Sequence, residues 1–319
     1  MNFVFFLSNQ EEVNDYYSDL ISDEKVDFIL KSSAFKSKIG SFLFRCSFSQ
    51  VVNNHFKVFW KRLFFKKLVK KIKFPLNSEL CLVFAAGWYD KKFLDWFTKK
   101  YKDVKKVCYF EDTVEFCTKT IKSIDPYKIK NDFDLIMCYN IGDARKYEYM
   151  KCNSFLAKKD IDNPELTSDV SFIGLAKDRQ TLLEEIYKYL SANGCKCNFK
   201  IVNGDGNVEG IDYDNHYINY NEYLRYELSA NCLLEIIKGD TESETLRCWE
   251  AVYYNKKLIT NWKGILKFKY YNPNYMLYIS KPEDIDISFV KRIEKVEYNY
   301  EGDNSPKNMI VQIENFFVK

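Results

Sequence analysis

Short, nearly continuous apolar runs alternate along the chain with longer polar and amphipathic stretches. Asn2 to Leu7 and Val26 to Leu30 are the first two runs, and strand-like runs follow over 79–86, 106–110 and 134–139, with a helix predicted over 91–101 between the first two of these. Runs that are apolar on both faces suit parallel strands, and strands spaced by helix-length segments predict βαβ units. This describes a first Rossmann-like domain to about residue 155. The polar stretch at 160–168, DIDNPELTS, carries Pro164 and reads as a linker. A second alternation comes after it: a strand over 169–174, a helix over 179–191, a strand over 197–202, a helix over 221–230 and a strand over 232–237. Near the end, Ser305 as N-cap and Pro306 at the first helical position predict a helix to about Phe317, which can pack back on the first domain. The fold class is therefore α/β, with domains at 1–158 and 159–319.

The stretch Cys232 to Asn261 reads as one complete βαβ unit. Thr241 and Glu244 form a T-x-x-E capping box, so a helix is expected from about Glu242 to Tyr254. Asn255 can close it in the left-handed conformation, and Lys256-Lys257 would face the negative end of its dipole. Leu258 to Thr260 then resumes a strand. By spacing alone Glu242 is a favourable first-turn acid and Glu250 a partner for Arg247 at i,i−3. Ligands of open parallel sheets sit at the carboxyl ends of strands. In the second domain those ends are Gly174, the 203–206 loop, the 238–242 loop and Asn261. Gly174 with Lys177 and Arg179 ahead of a helix reads as a diphosphate cradle or as a plain turn with exposed bases. The 203–210 stretch, NGDGNVEG, lacks the third glycine of the dinucleotide fingerprint and reads as a turn.

Charge and chemistry narrow the classes. The 319 residues carry 48 basic and 45 acidic side chains, a net charge of +3, without the basic excess of a general nucleic-acid binder. Ten scattered cysteines, no CxxC and only two histidines argue against zinc and fit a reducing cytosol. The opening MNFVFFLSNQ has no basic n-region and no run approaches a membrane-spanning length, so a soluble or peripheral protein is expected. Asp-x-Asp occurs at Asp132, Asp160, Asp212 and Asp284 and reads as incidental each time; no phosphate-loop motif or G-x-S-x-G elbow occurs. Between His55 and Pro75 lie Lys57, Lys61, Arg62, Lys66, Lys67, Lys70, Lys71 and Lys73 with no acid. That segment is either a solvated helix face or a surface for anionic headgroups or a diphosphate-bearing acceptor.

Glu242 and Glu250, with Leu246, Ala251 and Asn255 at their positions, resemble the E-x7-E element of GT-B glycosyltransferases. More narrowly, DVSFIGLAKDR, TLRCWEAVYYNKKLITN and FDLIMCYNIGDARKYEYMKCNSFL are similar to bacterial enzymes of cell-surface polysaccharide and lipopolysaccharide synthesis, mainly over residues 130–280. The resemblance implies a GT-B fold, two Rossmann-like domains with a cleft between them. It also implies a hexosyltransferase-type activity that moves a sugar from a nucleotide sugar to a glycan or lipid-linked acceptor without a metal, and it leans toward retention. Glu250 would take the ribose hydroxyls and Glu242 the donor sugar. Lys177, Arg179 and Arg247 would neutralise the diphosphate, with Gly174, Thr245 and Asn261 completing the site. Ser243 and Thr245 stand where relatives often have glycine. Asp90, Glu111 and Asp112, at first-domain strand ends, are the candidates for the catalytic base. A nucleotide-sugar epimerase and a non-catalytic nucleotide-sugar-binding or scaffold subunit are the alternatives.

Overall fold

The computed structural model describes residues 1–33, 37–56, 59–162, 164–216, 218–237 and 241–318. The chain forms two units, one of residues 1–157 with 304–319 and one of residues 158–303. Each is built on a six-stranded parallel sheet with helices. In the first, β1 (Asn2–Leu7), β2 (Val26–Leu30), β3 (Leu80–Ala85), β4 (Lys105–Phe110), β5 (Leu135–Cys138) and β6 (Met150–Lys151) lie in the order β2-β1-β3-β4-β5-β6. The second holds β7 (Ser168–Leu175), β8 (Cys197–Val202), β9 (Ile211–Asp212), β10 (Ala230–Glu235), β11 (Lys257–Thr260) and β12 (Met276–Tyr278), ordered β12-β11-β10-β7-β8-β9.

The period-2 geometry of strands explains why the runs are apolar throughout. Along β1, Val4 and Phe6 face one core and Phe3, Phe5 and Leu7 the other; β3 divides in the same way, Leu82 and Phe84 against Cys81 and Val83. Both faces must be covered, and the terminal helix Pro306–Val318 covers part of one. Met309 and Ile313 are fully buried with Phe3, Phe5 and Val83, and Asn304 Nδ2 donates to the Ser154 carbonyl at 3.2 Å. Ser305 caps the helix as its sequence suggests, its Oγ accepting from Lys307 N at 3.1 Å.

The short edge strands β6, β9 and β12 escape sequence reading because two or three residues give no periodicity. The helices Lys38–Phe48, Gln50–His55 and Arg62–Val69 between β2 and β3 were also not anticipated as a set. Two details of the 232–261 unit need correction. Its helix spans Leu246–Tyr253, four residues later than the Thr241 box predicts, because Thr245 is the N-cap and its Oγ1 accepts from Arg247 N at 3.2 Å. Lys256 and Lys257 do not serve the helix dipole: Lys257 is a buried residue of β11 that donates to the carbonyls of Phe289 and Arg292, and Lys256 donates to those of Leu228 and Ala230. Asn255 does adopt positive φ, at 51°.

Since Ile313 closes an apolar face of the first sheet, Ile313→Ala is expected to cost about 2–5 kcal/mol. The loss should appear in hydrogen exchange as weakened protection of the β1 and β3 amides, with β7 and β10 unaffected.

Candidate functional site

Counted from β7, the second sheet has the doubly wound order 3-2-1-4-5-6, so the chain leaves β7 on one side for β8 and β9 and returns on the other as β10. Ligands of such sheets bind outside the carboxyl ends of the two strands where the order reverses. Here those strands are β7, ending at Leu175, and β10, ending at Glu235.

Arg179 spans this point. Its Nε and Nη2 donate to the Leu175 carbonyl at 3.2 and 3.1 Å, and its Nη1 donates to the Ile236 carbonyl, so one guanidinium bridges both strand ends. Three of its five N–H donors are used in these bonds. The guanidinium carbon lies 5.3 Å from the centre of the Phe172 ring, and Arg247 lies 5.0 Å from it. Burial and the nearby Arg247 push the Arg179 pKa down to about 10. Gly174 makes the packing possible: a Cβ there would sit 3.2 Å from Arg179 Nη2 and 3.3 Å from the Phe172 ring.

Arg247, on the first turn of the Leu246–Tyr253 helix, is buried. Its Nη2 donates to the Ile173 carbonyl at 2.5 Å, to Glu227 Oε1 at 3.0 Å and to the Tyr223 hydroxyl at 3.3 Å, while its Nε is buried without a hydrogen-bond partner. Glu227 also accepts from Ile173 N at 2.8 Å and Ser171 Oγ at 3.0 Å. Glu250 does not pair with Arg247. One carboxylate oxygen accepts from Tyr220 at 2.9 Å and the other from Tyr223 at 2.7 Å, two rings stacked 5.7 Å apart on the Tyr220–Leu228 helix. Glu235 is buried at the end of β10, where it accepts from the hydroxyls of Thr245 and, at 2.6 Å, Thr260. Burial raises the pKa of Glu227, Glu235 and Glu250, against the lowering effect of Arg247 and the hydroxyl donors.

The predicted residues thus divide. Gly174, Arg179, Arg247 and Glu250 come together through Phe172, Tyr223 and the strand ends. Thr245 and Asn261 hold the frame: Thr245 caps a helix and fixes Glu235, and Asn261 Oδ1 accepts from Ile237 N at 2.7 Å. Lys177 is exposed with φ of 50°, and Glu242 is exposed in the segment before the helix rather than on its first turn. The loop residues 238–240, Lys57 and Asn163 lie outside the described residues. Sequence reading missed Glu227, Glu235, Tyr220 and Tyr223; only Glu235 left a trace, as the one acid inside the apolar run CLLEII. A cavity of about 340 Å³ in the same unit is lined by Asp160, Ile161, Asp162, Asn221 and Arg225, none of them a predicted site residue.

In the first unit Asp90 is a structural group. It caps the Lys91–Lys100 helix, accepting from Phe93 N at 3.0 Å, and forms a buried ion pair with Lys61. Asp112 is exposed and accepts from Thr113 N at 2.7 Å in a local turn. Glu111, just past the end of β4, is an exposed carboxyl whose neighbours are Glu12 and Tyr17. Lys31, beyond β2, lies over the Trp88 ring at 5.5 Å, and desolvation lowers its pKa to about 8. The Asp-x-Asp acids mostly serve local structure, Asp132 accepting from Tyr89 and Lys91, and Asp212 from Lys200. Among the described residues no group of three or more His, Cys, Asp or Glu is placed to hold a metal. No family model and no curated protein matches the chain.

Two outcomes follow. Asp90→Ala strands the Lys61 ammonium in a buried site and is expected to cost about 3–5 kcal/mol in denaturant unfolding. The buried glutamates set a pH dependence whose sign is fixed. With folded pKa values above the ordinary 4.5, the folded chain binds more protons, so their contribution to stability is complete below that value and is lost as pH rises through the folded pKa. Urea midpoints measured upward from about pH 5 should fall with pH, and Glu235→Gln should flatten the slope.

Proposed function

We propose that the protein is a GT-B type glycosyltransferase that transfers a sugar from a nucleotide-sugar donor, held by residues 158–303, to a cell-surface glycan or lipid-linked acceptor taken by the first unit. The observation that carries this reading is the pair of arginines at the point where the second sheet reverses its order, with Glu250 tied to the same hydrogen-bonded group. When the bond between the anomeric carbon and the diphosphate breaks, negative charge grows on the leaving diphosphate. Pre-positioned guanidinium donors stabilise that charge with little reorganisation. Arg179 has two N–H donors beyond its three strand-end bonds, and the buried Arg247 adds its positive charge behind the same Phe172 ring. These cations take the part a metal plays in other transferases.

Glu250 recognises the ribose. Its two tyrosine bonds use one lone pair on each oxygen, which leaves acceptor capacity for the two ribose hydroxyls. Glu242, exposed ahead of the helix, contacts the donor sugar. Glu111, exposed just past the end of β4, is the first-unit carboxyl assigned to proton transfer, because Asp90 is committed to Lys61 and Asp112 to its own turn. A non-catalytic nucleotide-sugar-binding subunit is the second reading, favoured by the commitment of Asp90 to Lys61 and of Asp112 to its own turn.

Calorimetric titration with UDP, GDP, CMP and dTDP sugars tests the proposal. One nucleotide class should bind, and Glu250→Ala should weaken it roughly 10- to 100-fold, the worth of a charged hydrogen-bonding group. Unchanged affinity in a variant that melts as the parent does would sink the assignment. Donor binding without turnover over a panel of acceptors would favour the second reading.

A further inference from the structure

The first unit carries a surface that the transferase reading does not use. Between Asp27 and Glu79 the chain has no aspartate or glutamate and twelve lysines and arginines. As the whole chain is only +3, the remaining residues sum to −9, so nearly all of the positive excess is gathered in one insertion between β2 and β3. The insertion forms the Lys38–Phe48, Gln50–His55 and Arg62–Val69 helices. Its inner side is packed: Phe44, Phe48, Phe64, Phe65, Leu68 and Val69 belong to the core, with Phe44 and Phe64 rings 5.7 Å apart.

Its outer side is apolar as well as basic. Ile39, Phe42, Val51, Phe56, Trp60 and Leu63 are exposed, Ile39 at 74% and Leu63 at 70%. On the Lys38–Phe48 helix Ile39 and Phe42 stand at i,i+3 beside exposed Lys38 and Arg45, and on the Arg62–Val69 helix Leu63 shares a face with Lys66 and Lys67. Soluble proteins seldom leave this much large apolar side chain uncovered in one region. No described helix is long and apolar enough to cross a membrane. Exposed carbon side chains interleaved with cations match the boundary between acyl chains and anionic headgroups, where each kind finds its own medium. A nucleic-acid backbone would answer the cations and leave the aliphatic groups in water.

We propose that the exposed faces of the Lys38–Phe48 and Arg62–Val69 helices form a docking surface for an anionic phospholipid bilayer, with Ile39, Phe42 and Leu63 entering the headgroup–acyl boundary and Arg62, Lys66 and Lys67 meeting the headgroups. The surface lies in the unit assigned the acceptor, but the proposal does not depend on that assignment.

The test is co-sedimentation of the full chain with vesicles of phosphatidylcholine alone or mixed with phosphatidylglycerol, over a salt series, with an oligonucleotide titration in parallel. The chain should bind the mixed vesicles and hardly bind the neutral ones. Charge reversal at Arg62, Lys66 and Lys67 should lower partition at low salt on the order of a hundredfold or more. Phe42→Ser with Leu63→Ser should lower it about tenfold and should leave a form that salt releases fully, whereas the parent keeps residual binding at high salt. All substituted side chains are exposed, so melting temperatures should match the parent. Equal binding to both vesicle types, oligonucleotide binding without vesicle binding, or an apolar pair of substitutions without effect on partition would each overturn the proposal.

Discussion

A guanidinium out of water must be surrounded by acceptors, and that requirement at Arg247 organises the second unit. Its partners come from three elements: the Ile173 carbonyl of β7, Glu227 and Tyr223 of the Tyr220–Leu228 helix, and, through Tyr223, Glu250 of its own helix. Removing one partner of such a buried group generally costs more than the intact pair contributes, because a desolvated charge is left behind. The group therefore works less as a source of stability than as a constraint on how the Leu246–Tyr253 helix sits against the sheet. It also explains why β7 tolerates a glycine near its end, since Phe172 needs its ring free for the two arginines flanking it.

The first unit repeats the principle with different chemistry. Lys61 and Asp90 are buried together among Phe48, Trp88 and Phe93, and the pair ties the basic insertion to the N-terminus of the Lys91–Lys100 helix. A carboxylate that looks like a catalytic base from its place after a strand is thereby committed to holding the fold. Glu111 differs in being exposed, with Glu12 and Tyr17 rather than a cation beside it.

The strands of both sheets were largely legible in the sequence, since a run buried on both faces must be apolar at every position; β1, β2 and β8 begin and end at the residues their runs suggest. The β2–β3 insertion was not, because its helices bury one face while keeping Ile39, Phe42 and Leu63 outside, which blurs the helical period. At the site, Gly174 and Arg179 could be picked out from their place at a strand end, and Arg247 and Glu250 only through the resemblance. Their partners could not: Glu227 and Tyr223 stand about twenty residues before Arg247, and only the crossover of the chain from β9 to β10 brings them beside β7. The helix start was misplaced for a local reason. The sequence pointed to Thr241 through its T-x-x-E box, whereas the N-cap is Thr245, whose hydroxyl also serves the buried Glu235.

The central claim is that a nucleotide diphosphate binds where β7 and β10 end. Hydrogen–deuterium exchange of the full chain, with and without a saturating nucleoside diphosphate, addresses it most directly. The account predicts slowed exchange at the amides of residues 174–180 and 246–250, with the first sheet unchanged. Protection confined to the first unit, or no protection with any of the common nucleoside diphosphates, would contradict it.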